Sequence, residues 1–220
     1  MTRAEAIAYI QQGLAWRSDK STEILAALDE AQRELEQGTS LPWFLITEAG
    51  SLSGTANDGT LTIPAGFIKE TDEDALSVVT TEGITRFLRK MNWGDMILNY
   101  QDSSDGTVST GDPEVYVVRA TTIEVRPIPT ATWTASLDYF AHDTLPSALA
   151  SGATNDWLTE APYVLVNLAG TLMAEDIEYD AQKPMIEKFA RRYARNNAKL
   201  MAQIAEREMT NREIVMGSRV

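Results

Sequence analysis

The sequence lacks cysteine altogether and has a single histidine, His142, among its 220 residues. Without cysteine, neither a structural disulfide nor a thiolate metal site can form, which fits folding in a reducing cytoplasm. Any Ser/His/Asp catalytic site would have to use His142. The segment GSLSG has leucine where the G-x-S-x-G motif places its nucleophile. We therefore expect no catalytic residue in this chain.

Long hydrophobic runs are missing as well. The longest, APYVLVNLAGTLMA, has 14 residues and contains Asn167. It is too short for a membrane span, which needs about 20 apolar residues, and is typical of a buried helix. Glycine-rich phosphate loops and dinucleotide-binding motifs are absent too. We expect a soluble protein with no cofactor, no bound metal and no membrane partner.

Positive charge is scarce, because 19 Lys and Arg stand against 32 Asp and Glu, for a net charge of −13. Residues 187–220 carry eight basic and four acidic side chains, which leaves a net charge of −17 on residues 1–186. An acidic body repels phosphate at distances near the Debye length, so we expect no tight binding to duplex DNA. The basic C-terminal region is better suited to an acidic protein surface.

The predicted elements begin and end as helices, with strands between them. A capping box of Thr2 and Glu5 predicts a helix over residues 3–15, and a second helix runs to a stop at Gly38. Near the C-terminus, one helix begins at Pro162 and a long one extends from about residue 181 to 209. Short runs rich in β-branched and aromatic residues predict strands near 43–47, 60–63, 76–80, 115–119, 122–127 and 133–141, with a short helix near 84–91.

This order predicts an α+β fold, in which a helical bundle formed from both chain ends carries a central antiparallel β insertion. The predicted segments are an N-terminal helical hairpin (1–40), a β-rich insertion domain (41–158), C-terminal helices that complete the bundle (159–209) and a docking arm (210–220).

The long C-terminal helix has an apolar stripe and, roughly 130° away, a basic stripe. The apolar stripe contains Ile186, Phe189, Tyr193, Leu200 and Ile204, and the basic stripe contains Lys188, Arg191, Arg192, Arg195 and Lys199. Apolar side chains at this spacing are typical of core packing. The basic stripe is either a solvated face or an electrostatic contact with a neighbouring copy or another protein. The arm that follows, with apolar Ile214, Val215 and Met216, is either a frayed terminus or a docking segment.

The order of segments resembles the head-to-tail adaptor, or connector, proteins of tailed bacteriophages of the short-tailed type. The resemblance runs through most of the chain, along ALDEAQRELEQG, LPWFL, LTIPAGFI, VYVVRATTIEVRPIP and LDYFAHDTLPSALASGATNDWLTEAPYVLVNLAG. It implies a structural virion protein at the head-to-tail interface, assembled in the host cytoplasm, and not an enzyme.

The same resemblance implies partners. They are a portal protein, a tail or nozzle protein, and further copies of the chain in a ring of about twelve. DNA would pass through the ring during genome ejection without specific binding, because an acidic wall repels phosphates. The family's C-terminal region reaches towards the portal, so the resemblance assigns portal contact to the basic stripe and to Ile214, Val215 and Met216.

Two other functions stay open at this point. A virion-associated cell-wall hydrolase would need a pair of carboxylates, and the nearest cluster contains Glu160, Glu175, Asp176 and Glu178. A generic binding module would share the β insertion. Assembly separates them, because a connector forms rings with a portal whereas a hydrolase cleaves peptidoglycan as a monomer.

Overall fold

The computed structural model describes residues 1–14, 18–80, 82–101, 107–175 and 183–217, without the side chains of residues 174, 175, 183 and 209–217. The chain divides into two compact units, one formed by Met1–Leu45 with Asp143–Val220 and the other by Ile46–His142. The first unit is helical and the second consists mostly of antiparallel strands, which confirms the α+β fold class. Residues 143–158, which the sequence analysis placed in the insertion, group with the helical unit.

The helices of the described residues are α1 (Arg3–Gly13), α2 (Ser21–Glu36), α3 (Trp93–Tyr100), α4 (Asp156–Glu160), α5 (Pro162–Glu175) and α6 (Lys183–Gly217). All except α3 belong to the helical unit. The predicted capping box at the start of α1 is confirmed. The Thr2 side chain accepts from the Glu5 backbone N–H at 3.3 Å, and the Glu5 carboxylate accepts from the Thr2 backbone N–H at 2.8 Å. These two bonds satisfy donors that the first helical turn leaves unpaired.

Helix α5 is the centre of the helical unit. It contacts α1, α2 and α6, and Leu165, Val166 and Ala169 are fully buried. Tyr163 near its start is 53% exposed, but most of the described side chains that follow are buried. A helix this rich in apolar residues has to be covered by its neighbours, which confirms the prediction of a buried helix. Among the described residues, no helix combines the length and the apolar composition that a membrane crossing requires.

The strands of the second unit are β1 (Ile46–Gly54), β2 (Thr60–Thr62), β3 (Phe67–Glu70), β4 (Leu76–Val79), β5 (Thr85–Phe87), β6 (Arg89–Lys90), β7 (Val115–Val118), β8 (Thr122–Arg126) and β9 (Trp133–Ala141). One sheet has the order β1-β9-β4-β5, with β3 also paired to β9, and the other has the order β2-β8-β7-β6. All described pairs are antiparallel except β6 with β7.

The two sheets pack on a shared apolar core. Leu76 and Leu137 come from the first sheet, Tyr116 and Ile123 from the second, and all four are fully buried. Alternate residues of β9 face this core in the predicted pattern, beginning with Trp133. Strand alternation therefore fixes which face of β9 is inside.

The helix predicted near residues 84–91 is wrong. Residues 85–87 and 89–90 are strands, and the helix of this region, α3, begins only at Trp93. The apolar spacing of this stretch suits a helix, but its backbone is used by neighbouring strands: Leu88 N–H donates to Leu76 O at 2.8 Å, and Met91 N–H donates to Tyr116 O at 2.9 Å. Hydrogen bonding to residues distant in sequence therefore determines the structure of this stretch, although its local apolar spacing favours a helix.

Candidate functional site

Phe189 of the predicted apolar stripe is the point at which α1, α5 and α6 meet. Its side chain is only 3% exposed. A Cβ atom on Gly13 would lie 2.1 Å from the Phe189 ring, and one on Gly170 would lie 2.7 Å from it. Only glycine leaves room for the ring at these two positions, so α6 is seated in a slot between α1 and α5.

Further along α6, the apolar stripe continues to pack on the unit. Leu200 and Ile204 are buried, and burial, followed by the charge of Glu34, raises the pKa of the Tyr193 hydroxyl. Nearer the C-terminal end of α6, the Arg207 guanidinium packs on the Trp43 ring, 3.9 Å from the ring centre. The predicted stripe is therefore the face by which α6 is held.

The five residues of the basic stripe do not share one environment. Lys188, Arg191, Arg195 and Lys199 are exposed, whereas Arg192 is half-buried. Arg191 pairs with Glu187 one turn earlier at 2.8 Å, with 79% and 55% of the two side chains exposed. An ion pair this exposed contributes little to stability.

Arg192 turns towards α1. Its Nη1 donates to the Tyr9 hydroxyl oxygen at 3.0 Å, and the Tyr9 hydroxyl lies 3.5 Å from Asn167 Oδ1. Both partners are neutral, and no carboxylate of the described residues forms an ion pair with this guanidinium. A half-buried guanidinium with spare donors retains its capacity to bind an anion.

Lys188 and Arg192 line an open groove between α1 and α6, with a volume of about 430 Å³. Its described lining is Tyr9, Gln12, Gly13, Met185, Lys188, Phe189 and Arg192. None of these residues carries a carboxylate, although the chain as a whole has a net charge of −13. The groove is thus a cationic and partly apolar recess on an acidic protein.

The predicted docking arm is only partly visible. The backbone of α6 remains helical to Gly217, so residues 210–217 continue the helix. The side chains of Ile214, Val215 and Met216 lie outside the described residues. Their assignment to a partner contact stays a prediction.

The residues considered for catalysis are not assembled into a site by any described contact. His142 is exposed where β9 ends, and its backbone N–H donates to Gly66 O at 2.7 Å. Glu160 is exposed at the end of α4, whereas Asp176, Glu178 and the side chain of Glu175 lie outside the described residues. Within the described part of the chain, no group of three or more His, Cys, Asp or Glu residues can hold a metal ion.

A buried polar network in the helical unit escaped the sequence analysis. Glu36 Oε1 accepts from Trp157 Nε1 at 3.0 Å, from Gln32 Nε2 at 2.9 Å and from the Asp143 backbone N–H at 3.2 Å. Gln32 Oε1 in turn accepts from Asn155 Nδ2 at 2.9 Å. These bonds fasten the returning segment 143–157 to α2, so the network is structural. Its sequence signal is the helical spacing of Asp29, Gln32 and Glu36 beside the apolar positions of α2.

One comparison with known proteins is informative. A family model described as SU10 adaptor protein matches residues 1–217, which includes the whole β unit, all of α6 and all but the last three residues of the helical unit. No curated protein matches the chain.

Proposed function

We propose that this chain, which belongs to the SU10 adaptor protein family, is the structural protein that joins the head of a bacteriophage to its tail. The observation that carries the proposal is the extent of the family match, which covers residues 1–217 of the 220 in the chain. An adaptor works by binding its neighbours, so the proposal assigns no catalytic step to the chain.

In the proposed assembly, copies of the chain form a ring of about twelve below the portal protein and attach a tail or nozzle protein on the other side. The ring extends the channel through which DNA leaves the head. The net charge of −13 supports passage without specific binding, because like charge keeps phosphates from adhering to the wall.

The exposed part of the basic stripe is the proposed contact with the portal. Arg195 and Lys199 are exposed, and neither forms an ion pair with a described carboxylate. Exposed cations without such an ion pair can attract an acidic surface of the partner and steer its approach. Ile214, Val215 and Met216, further along α6, are proposed to add an apolar contact to the same partner.

The test combines Arg195→Glu with Lys199→Glu and measures co-sedimentation with purified portal, with electron microscopy of the complexes. Charges that attracted the partner would then repel it, so we expect binding to fail or to weaken strongly while the circular dichroism spectrum stays unchanged. The matched control is Arg33→Glu with Arg86→Glu, which changes the net charge equally at two exposed positions outside α6.

Each outcome of this test is informative. Loss of portal binding by the α6 variant alone supports a contact through the stripe, whereas equal losses in both variants indicate a general effect of net charge. Wild-type binding by the α6 variant would show that the stripe is merely solvated. If the unaltered protein forms no ring or complex with portal, the adaptor function itself is wrong.

A further inference from the structure

Helix α3 exposes a leucine for which the described part of its own chain provides no cover. Leu98 is 80% exposed, the largest exposure of any large apolar side chain among the described residues. Asp95 lies one helical turn earlier and is also exposed, so the two side chains share a face of the helix. An exposed apolar side chain on a rigid element is a common feature of protein interfaces.

Helix α3 is firmly held, so the exposure of Leu98 is a property of the fold. Asn92 caps the helix by accepting from the Asp95 backbone N–H at 2.9 Å. On the opposite face Met96 is buried against Val115 and Val117. The helix therefore presents Asp95 and Leu98 in a fixed arrangement.

The groove between α1 and α6 has the complementary chemistry. Met185 and the Tyr9 ring provide apolar surface, and Lys188 and Arg192 provide positive charge without a carboxylate in the described lining. Its volume of about 430 Å³ is several times that of a leucine side chain. A helix that presents one carboxylate beside a protruding leucine is the kind of ligand that such a groove accepts.

We propose that α3 of one copy docks in the groove of a second copy, with Leu98 against Met185 and Asp95 beside Lys188. The contact joins two different surfaces of the same chain and is therefore heterologous. Each copy uses its α3 once and its groove once, so successive copies continue in one direction and can close into a ring. The inference rests on the proposed adaptor function and adds to it the surfaces by which neighbouring copies recognise each other.

The absence of cysteine makes cross-linking a direct test. Leu98→Cys and Met185→Cys proteins are mixed in equal amounts and oxidised mildly, both alone at high concentration and assembled on purified portal. We expect a disulfide-linked dimer in at least one of the two conditions, since the two positions face each other in the proposed contact. The matched control replaces Leu98→Cys by Ser53→Cys, another exposed position of the β unit.

A charge exchange tests the polar half of the contact. Asp95→Lys in the Leu98→Cys protein should reduce the cross-linking yield, and Lys188→Asp in the Met185→Cys protein should restore it. Arg191→Glu in the Met185→Cys protein should leave the yield unchanged, because Arg191 lies outside the groove and pairs with Glu187.

The inference is overturned if the Leu98–Met185 yield does not exceed the Ser53 control in either condition, or if the charge exchange fails to restore it. Portal binding is measured separately with the unaltered protein. Normal portal binding without the cross-link would therefore reject this contact and leave the adaptor function standing. A cross-link without portal binding would support this contact and reject the adaptor function.

Discussion

The helical unit and the β unit are stabilised by different means. The β unit is one continuous segment, Ile46–His142, and its core is almost entirely apolar. The helical unit joins two segments that the β unit separates in the sequence, and it contains five of the six buried polar or charged residues described. Apolar burial has no direction, whereas hydrogen bonds do. We infer that directional bonds are used where segments distant in sequence must meet in one register.

The largest expected effect on this comparison comes from Phe189→Ala, which leaves a cavity where α1, α5 and α6 meet. Loss of a buried phenylalanine costs about 3–5 kcal/mol, because the cavity left behind collapses only in part. We expect faster amide hydrogen exchange in α1, α5 and α6, with the β unit still protected. Leu137→Ala, in the core between the two sheets, should instead speed amide hydrogen exchange in the β unit and leave the helical unit protected. Equal loss of protection in both units would contradict the comparison.

Glu36→Ala removes the acceptor at the centre of the polar network. It leaves buried donors of Trp157 and Gln32 without their partner, and we expect a loss of about 2–3 kcal/mol in the free energy of unfolding. Urea denaturation measures the change. Glu30→Ala is the control, because Glu30 is exposed on the same helix and should alter stability by less than about 0.5 kcal/mol. Similar costs for both would show that the network is dispensable.

Gly13→Ala places a methyl group against the Phe189 ring and should cost about 1–3 kcal/mol through overpacking. Phe189→Leu shortens the side chain that the methyl group meets. The two substitutions should therefore be coupled, with the double variant more stable than the sum of the single effects predicts. Thermal unfolding of the four proteins measures the coupling. If the two stability effects are strictly additive, residues other than Phe189 move to relieve the clash.

The smallest effect concerns Asp156 at the start of α4. Burial, then the charges of Asp143 and Glu160, raise the pKa of its carboxyl above the ordinary value. Such a group holds its proton more tightly in the folded state, so its ionisation lowers stability as the pH rises through the folded pKa. Asp156→Asn should therefore be slightly more stable than wild type at neutral pH. The advantage should shrink as the pH falls towards about 4, the range of an ordinary aspartate. An advantage independent of pH in urea titrations would point to hydrogen bonding instead of charge.

Local patterns in the sequence were enough to predict the features that depend on neighbouring residues. The capping box at Thr2, the buried helix after Pro162 and the alternation of β9 all follow from spacing within one element. The α+β class follows from the order of such elements. By contrast, β3 was missed, and the stretch near 84–91 was assigned to a helix, because short strands are specified by the partners that they meet and not by their own residues.

The candidate site shows the same limit. The sequence placed Phe189 on the buried face of the helix and Lys188 on the exposed face, but it grouped Arg192 with the exposed cations. It gave no sign that Tyr9 would hold Arg192, because that contact joins residues from opposite ends of the chain. The groove exists only through this long-range meeting, and α3 drew no attention because the sequence analysis assigned no element to residues 93–100.

The slot around Phe189 also constrains how the family can vary. Gly13 and Gly170 each leave less room than one methyl group beside the ring, so none of the three positions can change size alone without cost. In related chains the three positions should therefore covary: a smaller residue at position 189 should be accompanied by alanine or serine at positions 13 and 170. Glycine at both positions should accompany an aromatic residue. This correlation links three segments far apart in the sequence, and an alignment of related adaptors would reveal it without any structure.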